Sequence, residues 1–195
     1  MENLKEDAVL TNPPRKVEII DDIVYMSPAP SVKHHNIMFN ITMHFKNYLR
    51  GKKCRVHMEC NVYYNPDKPK NHIIPDISVM CEPNKFKPNG YYGVPSLIVE
   101  ILSSNRKDDL ITKLELYERL GVSEYWIVDP SNDTINQYVL LDGKFKFIEV
   151  YSYFSQEEFD ELSLDDRENY KAFVTCNLFN DLEISLEDIF KDTMF

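Results

Sequence analysis

The sequence predicts a mixed α/β fold, and three observations carry that prediction. The nearly all-apolar run Leu97–Leu102 is typical of a central strand that is covered on both faces. Helical spacing of apolar side chains occurs twice, once after Ser31 and once over Asp108–Leu120. Short strand-like segments separate and follow the two helices. The order of helix, several strands, helix and strand favours a central sheet flanked by helices.

Local turn and capping signals delimit the individual elements. Asp21-Asp22 forms the turn of the first hairpin, and Asp142-Gly143 links two later strands. Ser31 is an N-cap, and Gly51 and Gly121 end the two helices. In chain order, the predicted elements are a hairpin over 17–26, a helix over 31–51, strands over 54–64 and 73–80, a loop over 82–94, a strand over 97–102, a helix over 108–120, strands over 125–128, 135–141 and 145–151, a polar helical excursion over 155–171, and a strand running into a short helix over 182–190.

Charge is distributed unevenly along the 195 residues. Residues 151–195 carry three Lys and Arg residues against twelve Asp and Glu residues, which accounts for most of the net charge of −10. By contrast, Ile23–Met58 contains no Asp or Glu and six Lys and Arg residues. Such a segment indicates either a surface for a polyanion or a solvated helix face balanced by acids elsewhere in the fold.

The four cysteines and the absence of long apolar runs bear on the cellular compartment. The cysteines are scattered without a CxxC pair, so we expect reduced thiols rather than a zinc site or a disulfide pattern. No apolar run approaches the ~18 residues of a membrane span, and Met1–Asp7 lacks an apolar signal core. These features predict a cytoplasmic protein that does not contact a membrane.

Three polar residues stand in otherwise apolar settings. Glu100 lies inside the central strand, Asp76 precedes the apolar stretch Ile77–Met80, and Lys113 falls in the middle of the apolar stripe of the second helix. If strands 73–80 and 97–102 pair, Asp76 and Glu100 meet, and the following helix brings Lys113 to both. Two adjacent carboxylates repel each other, and a hard cation such as Mg²⁺ or Mn²⁺ would relieve that repulsion. The alternative is a buried Glu100–Lys113 salt bridge, with Asp76 serving as a turn residue.

The same residues stand in a pattern that resembles a known bacterial family. Pro75-Asp76, the segment Glu100–Ser103, Lys113 and the stretch Gly121–Pro130 are similar to the "putative restriction endonuclease" family called Uma-two, within the PD-(D/E)xK nuclease superfamily. The segments 26–30 and 182–190 resemble the family's entry and closing segments. The resemblance covers about residues 17–190, with an interruption near 152–173.

The resemblance implies a central mixed β-sheet flanked by helices, with additional strands around it. It implies Asp76 and Glu100 as metal ligands, and we expect the Ile101 backbone carbonyl to join them in holding Mg²⁺ or Mn²⁺. The wider superfamily places a lysine two residues after the glutamate, where this chain has Leu102. Lys113 matches the helix lysine that replaces it. His34 also matches a family position, with a structural and a functional role equally open.

The activity implied is metal-dependent hydrolysis of DNA phosphodiester bonds. Lys113 would orient the attacking water or hold the phosphate. The alternative is a catalytically weak or inactive module of the same fold that binds nucleic acid or protein. We expect one domain over residues 1–195, with an N-terminal arm over 1–16 and a family-variable excursion over 152–173, and DNA and a second copy of the chain as candidate partners.

Overall fold

The computed structural model describes residues 16–27, 29–103 and 107–193, with the side chains of 107–110 outside the described set. It contains twelve strands and five α-helices within those residues, which confirms the mixed α/β class. The strands are β1 Lys16–Ile20, β2 Ile23–Ser27, β3 Arg55–Met58, β4 Ile77–Met80, β5 Phe86–Lys87, β6 Gly90–Tyr91, β7 Leu97–Ile101, β8 Glu124–Asp129, β9 Thr134–Leu141, β10 Lys144–Ser152, β11 Phe173–Thr175 and β12 Glu183–Ser185. The helices are α1 Val32–Tyr48, α2 Lys107–Leu120, α3 Gln156–Glu161, α4 Leu164–Glu168 and α5 Leu186–Phe190.

A six-stranded mixed sheet in the order β10-β9-β8-β7-β4-β3 forms the centre of the fold. Strand β7 pairs antiparallel with β4 and parallel with β8, and α2 is the crossover between β7 and β8. All five residues of β7 are buried, as expected for a strand with neighbours on both sides and both faces covered.

The sheet has a hydrophobic core on each face. Helices α1 and α5 pack on one face, where Phe45 and Trp126 are fully buried. Helix α2 and the β1–β2 hairpin cover the other face, around Tyr117 and Tyr125. Because successive side chains of a strand alternate, each central strand contributes to both cores.

Local signals placed most elements, but two strands are shorter than predicted. The strand predicted over 54–64 ends at Met58, because Glu59 adopts a left-handed φ of 46°. The strand predicted over 73–80 begins at Ile77, with one isolated bridge at Ile73. Pro75 lacks the N–H that a continuous ladder needs there. The predicted loop 82–94 contains the short β5–β6 pair.

The structure describes only the last residue of the predicted arm 1–16 but all of the predicted excursion 152–173. Lys16, which was assigned to the N-terminal arm, begins β1, and the rest of the arm lies outside the described residues. The predicted excursion 152–173 contains α3 and α4, each with a serine N-cap. Within the described part of the chain, no helix combines the length and apolar character needed to cross a membrane.

The expectation of four reduced thiols is wrong for two of the cysteines. Cys54 and Cys81 form a disulfide, whereas Cys60 and Cys176 are free. The two bonded cysteines continue the β3–β4 ladder, in which Arg55 pairs with Met80. Because they lie 27 residues apart in sequence, spacing alone gave no sign that the register would place them opposite each other.

The disulfide predicts a defined thiol count. Maleimide labelling of the unfolded, non-reduced protein should modify two cysteines, and labelling after reduction should modify four. Reduction should also lower the free energy of unfolding by about 2–4 kcal/mol, because the bond restricts the unfolded chain. The Cys60→Ser/Cys176→Ser variant is the control, and it should label only after reduction. Four reactive thiols without reduction would contradict the pairing.

Candidate active site

Asp76 and Glu100 are contributed by neighbouring parts of two paired strands. The β4–β7 ladder pairs Ile77 with Val99 and Ser78 with Ile98, Asp76 directly precedes β4, and its carboxylate accepts from the N–H of Ile101, the residue after Glu100. Glu100 falls on the face that packs against α2, because Ile98 belongs to that core. Asp76 is fully buried and Glu100 is 3% exposed.

Asp76 is surrounded by donors from three separate elements. The Lys16 ammonium of β1 bonds to Asp76 Oδ1. His34 Nε2, at the start of α1, lies 3.1 Å from Oδ2, and the backbone N–H of Ile101 donates to the same oxygen at 2.8 Å. Ser31 caps α1 by accepting from the His34 N–H, which fixes the helix start beside the site.

Glu100 receives its donors from helix α2. Lys113 Nζ donates to Glu100 Oε1 at 2.8 Å, and the Tyr117 hydroxyl donates to the same oxygen at 2.6 Å. The two helix residues are four positions apart and therefore lie on one face. Glu100 Oε2 is buried and has no hydrogen-bond partner among the described residues.

Lys16 and Glu18 belong to the buried cluster of charged side chains around Asp76 and Glu100, although the sequence analysis did not identify them. Glu18 Oε2 lies 3.2 Å from Lys113 Nζ, and its Oε1 accepts from the Ile74 N–H at 2.8 Å. Lys16 also lies 3.4 Å from Glu59 Oε1. The available signal was the two-residue period of β1, which places Lys16, Glu18 and Ile20 together on its buried face.

Burial and charge shift the pKa values of the two carboxyl groups in opposite directions. Burial favours a raised pKa at Asp76, but the His34 hydrogen bond and the Lys16 charge outweigh burial and hold the pKa well below its usual range. Burial dominates at Glu100 and raises its pKa, with Lys113 opposing the shift and Asp76 adding to it. Burial and the Glu100 charge raise the pKa of Tyr117, so its hydroxyl stays a donor.

The cluster carries an excess of negative charge when its carboxyl groups are ionised. Among the residues that the structure describes, Asp76, Glu100 and Glu18 face two ammonium groups, those of Lys16 and Lys113, and all five side chains are more than nine-tenths buried. The partly exposed Glu59 adds a further carboxylate beside Lys16. A proton on Glu100 or a bound cation would reduce this excess.

The described residues contain no group of three or more His, Cys, Asp and Glu side chains arranged to hold a metal ion. The carboxylates of Asp76 and Glu100 supply oxygen atoms of the chemical type that Mg²⁺ prefers, and Glu100 Oε2 has no hydrogen-bond partner among the described residues. Another buried carboxylate, Glu124, offers a contrast. Its oxygens accept from donors of Trp126, Gln137 and Leu178, so hydrogen bonds already satisfy it.

The basic side chains of the segment 23–58 are divided between the two ends of α1. Helix α1 brings His34 to Asp76, and Lys33 forms a 2.8 Å salt bridge with Asp133. The other basic side chains lie toward the opposite end of α1 and in the residues after it. The acidic C-terminal region packs along α1, where His44 lies 3.4 Å from Asp188.

Comparison with known proteins agrees with this architecture. The model of a family described as "Putative restriction endonuclease" (Uma2) matches residues 4–168. A crystal structure described as "a putative nuclease belonging to DUF820", from Anabaena variabilis, superposes with a TM-score of 0.68 at 19% identity and covers 91% of both chains. An uncharacterized protein of Synechocystis sp. is 26% identical over 157 residues, which are 80% of this chain and 73% of that protein.

These matches define the protein as a member of a nuclease-like fold class. The family model spans most of the chain, so the chain belongs to the Uma2 family of restriction-endonuclease-like proteins. The resemblance and the fold expected from the sequence are thereby confirmed.

The opposite pKa shifts predict opposite pH effects for two isosteric variants. Glu100 has a raised pKa, so the wild type loses stability as pH rises from the ordinary carboxyl value of 4.5 through the folded pKa. Glu100→Gln should therefore unfold with a free energy higher by on the order of 1 kcal/mol at pH 7, and the gain should shrink below pH 4.5. Urea unfolding in a chelator from pH 3 to pH 8 measures this.

Asp76→Asn is the matched control with the opposite sign. Asp76 has a lowered pKa, so its contribution to stability is present above the ordinary value of 3.8 and is lost as pH falls through the folded pKa. The variant should be less stable than the wild type at pH 7, and the difference should narrow below pH 3.8. The same pH trend for both variants would contradict the assignment.

Proposed function

We propose that this protein is a metal-dependent endonuclease that hydrolyses DNA phosphodiester bonds. The observation that carries the proposal is the buried Asp76 carboxylate bonded to the N–H of Ile101, the residue after Glu100, with Lys113 held 2.8 Å from Glu100. Membership of a restriction-endonuclease-like family supports the reaction class, and DNA and Mg²⁺ are our own assignments.

The donor set fits a hard divalent cation. Asp76 and Glu100 would hold Mg²⁺ or Mn²⁺ together with the backbone carbonyl of Ile101, whose own N–H already contacts Asp76. The uncommitted Glu100 Oε2 and the excess of carboxylates over ammonium groups both favour a cation. When bound, the ion would lower the pKa of a water molecule and polarise the scissile phosphate.

The remaining side chains position the carboxylates of Asp76 and Glu100, called the acidic pair below, and supply positive charge. Lys113, bridging Glu100 and Glu18, would hold the phosphate or orient the attacking water. Tyr117 fixes the Glu100 carboxylate through its hydroxyl. His34 fixes Asp76 through Nε2, and we assign it this positioning role.

The decisive test is cleavage of plasmid and linear DNA with and without Mg²⁺ or Mn²⁺. Glu100→Gln should lower the rate at least about 100-fold while the fold is retained, because the carboxylate charge is lost and the shape is kept. Glu115→Gln, an exposed residue of the same helix, is the matched control and should cleave like the wild type. Equal rates for Glu100→Gln and wild type would refute the catalytic role.

A second candidate function, a binding module without efficient cleavage, is favoured by two observations. The acidic pair is already bonded to Lys16 and Lys113. In addition, a cavity of about 10 Å³ lined by residues including Glu18, Tyr25 and Lys113 has room for no more than a water molecule. In this conformation a phosphate group does not fit beside Lys113 in that cavity.

A variant of Lys16 distinguishes the nuclease from the binding module, because a metal ion would compete with the Lys16 ammonium for Asp76. Lys16→Met should bind Mg²⁺ at least about tenfold more tightly than the wild type in calorimetry, although the metal-free variant should be less stable because Asp76 loses a partner. Lys144→Met, a surface lysine paired with Glu118, is the control and should bind like the wild type.

The two outcomes have different consequences. Mg²⁺ affinity that is unchanged or weaker in Lys16→Met would contradict the competition. Absence of binding in the wild type, in Lys16→Met and in Asp76→Ala alike would favour the second candidate.

A further inference from the structure

A basic cleft lies at the far end of α1 from the acidic pair. Three cationic side chains from three consecutive parts of the chain line it: Lys46 in α1, Arg50 after the helix and Arg55 in β3. The cleft has a volume of about 230 Å³, and Leu49, Gly51 and Val56 complete its wall. Among the residues that the structure describes, no carboxylate lines this cleft.

The positive charge of this cleft is not neutralised by neighbouring acids. Within the described part of the chain, no carboxylate forms a salt bridge with Lys46, Arg50 or Arg55. Asp181 accepts a hydrogen bond from Tyr48, and the Lys52 ammonium lies 3.1 Å from the centroid of the Tyr48 ring. Among the described residues, these three side chains do not line the cleft. Burial, together with the charges of Lys46 and Arg55, lowers the pKa of His57, as expected where positive charge is in excess.

The cleft is also held in shape. One guanidinium nitrogen of Arg55 donates to the carbonyl oxygens of Lys52 and Cys54. The Cys54–Cys81 disulfide ties the residue before Arg55 to the end of β4. A basic residue in the last turn of α1 is explained by the helix dipole, but that effect does not require Arg50 and Arg55 to converge on it.

We propose that the cleft of Lys46, Arg50 and Arg55 binds backbone phosphates of the DNA substrate at a distance from the cleavage site. This inference rests on the proposed function and adds a second contact region to it. Three cations around a concave, acid-free surface suit a phosphodiester backbone, and counterion release would supply the binding free energy.

The geometry sets the length of DNA required. Arg55 pairs with Met80, which is four residues from Asp76, or about 14 Å along the strand. Lys46 lies twelve residues from His34, or about 18 Å along α1. At a rise of 3.4 Å per base pair, a duplex must extend about five base pairs beyond the scissile phosphate to reach the cleft.

The test is fluorescence anisotropy with hairpin DNAs whose stems contain 4 or 16 base pairs, using the full chain in a chelator so that no metal-dependent cleavage occurs. For the long stem, Lys46→Glu/Arg50→Glu should lower the affinity at least about tenfold and reduce the salt slope by about 2. The wild type should bind the short stem more weakly than the long stem, because the short duplex cannot span the distance between the cleft and the acidic pair, and the variant should weaken that residual binding too. Lys46→Gln/Arg50→Gln should show the same pattern more weakly, which keeps the test valid if charge reversal disturbs folding.

Lys144→Glu/Lys171→Glu is the matched control. It changes the net charge equally at the opposite edge of the sheet, where both lysines pair with acids on or near β10. An equal loss in this control, or unchanged affinity and salt slope in the cleft variant, would overturn the proposal. Cleft-dependent binding without any cleavage when Mg²⁺ is added would instead refute the endonuclease, while cleavage with unaltered long-stem binding in the cleft variant would refute the cleft alone.

Discussion

The free-energy cost of burying the carboxylates of Asp76 and Glu100 near each other explains which side chains surround them. Asp76 directly precedes β4 and Glu100 lies in the paired strand β7, and both are shielded from water, where an uncompensated charge is strongly destabilising. The Ile101 N–H of β7 supplies one donor to Asp76, and the cationic donors reach the two carboxylates from outside the two strands. Lys16 from β1 and Lys113 from α2 supply the positive charge.

The nearby Glu124 shows that burial alone does not define such a site. It lies on the adjacent strand β8 and is fully buried, but indole, amide and backbone N–H groups satisfy its oxygens. Glu124 is therefore a structural carboxylate that connects β8 to the C-terminal segment. The acidic pair differs because its partners include the ammonium groups of Lys16 and Lys113. In addition, Glu100 Oε2 is buried without a hydrogen bond among the described residues.

Features that depend on neighbouring residues were predictable from the sequence. The Asp21-Asp22 and Asp142-Gly143 turns adopt the left-handed backbone that such hairpins need, and Ser31 caps α1 as expected. The prominence of Asp76, Glu100 and Lys113 was also predictable, because a charged residue within a regular apolar pattern is visible without any three-dimensional information. Their grouping followed once the two strands were assumed to pair.

The sequence by itself determined the fold class, most element positions and the three charged residues that an apolar setting makes conspicuous. Only the tertiary structure decided that Lys16 and Glu18 complete the cluster, that Cys54 meets Cys81, and that the basic end of α1 lies away from the acidic pair. The physical reason is that periodicity and turn chemistry report interactions along a few residues of chain. Which residues meet across long separations depends on strand register and on the length and direction of packed helices, and these follow from how distant segments pack together as well as from local turns.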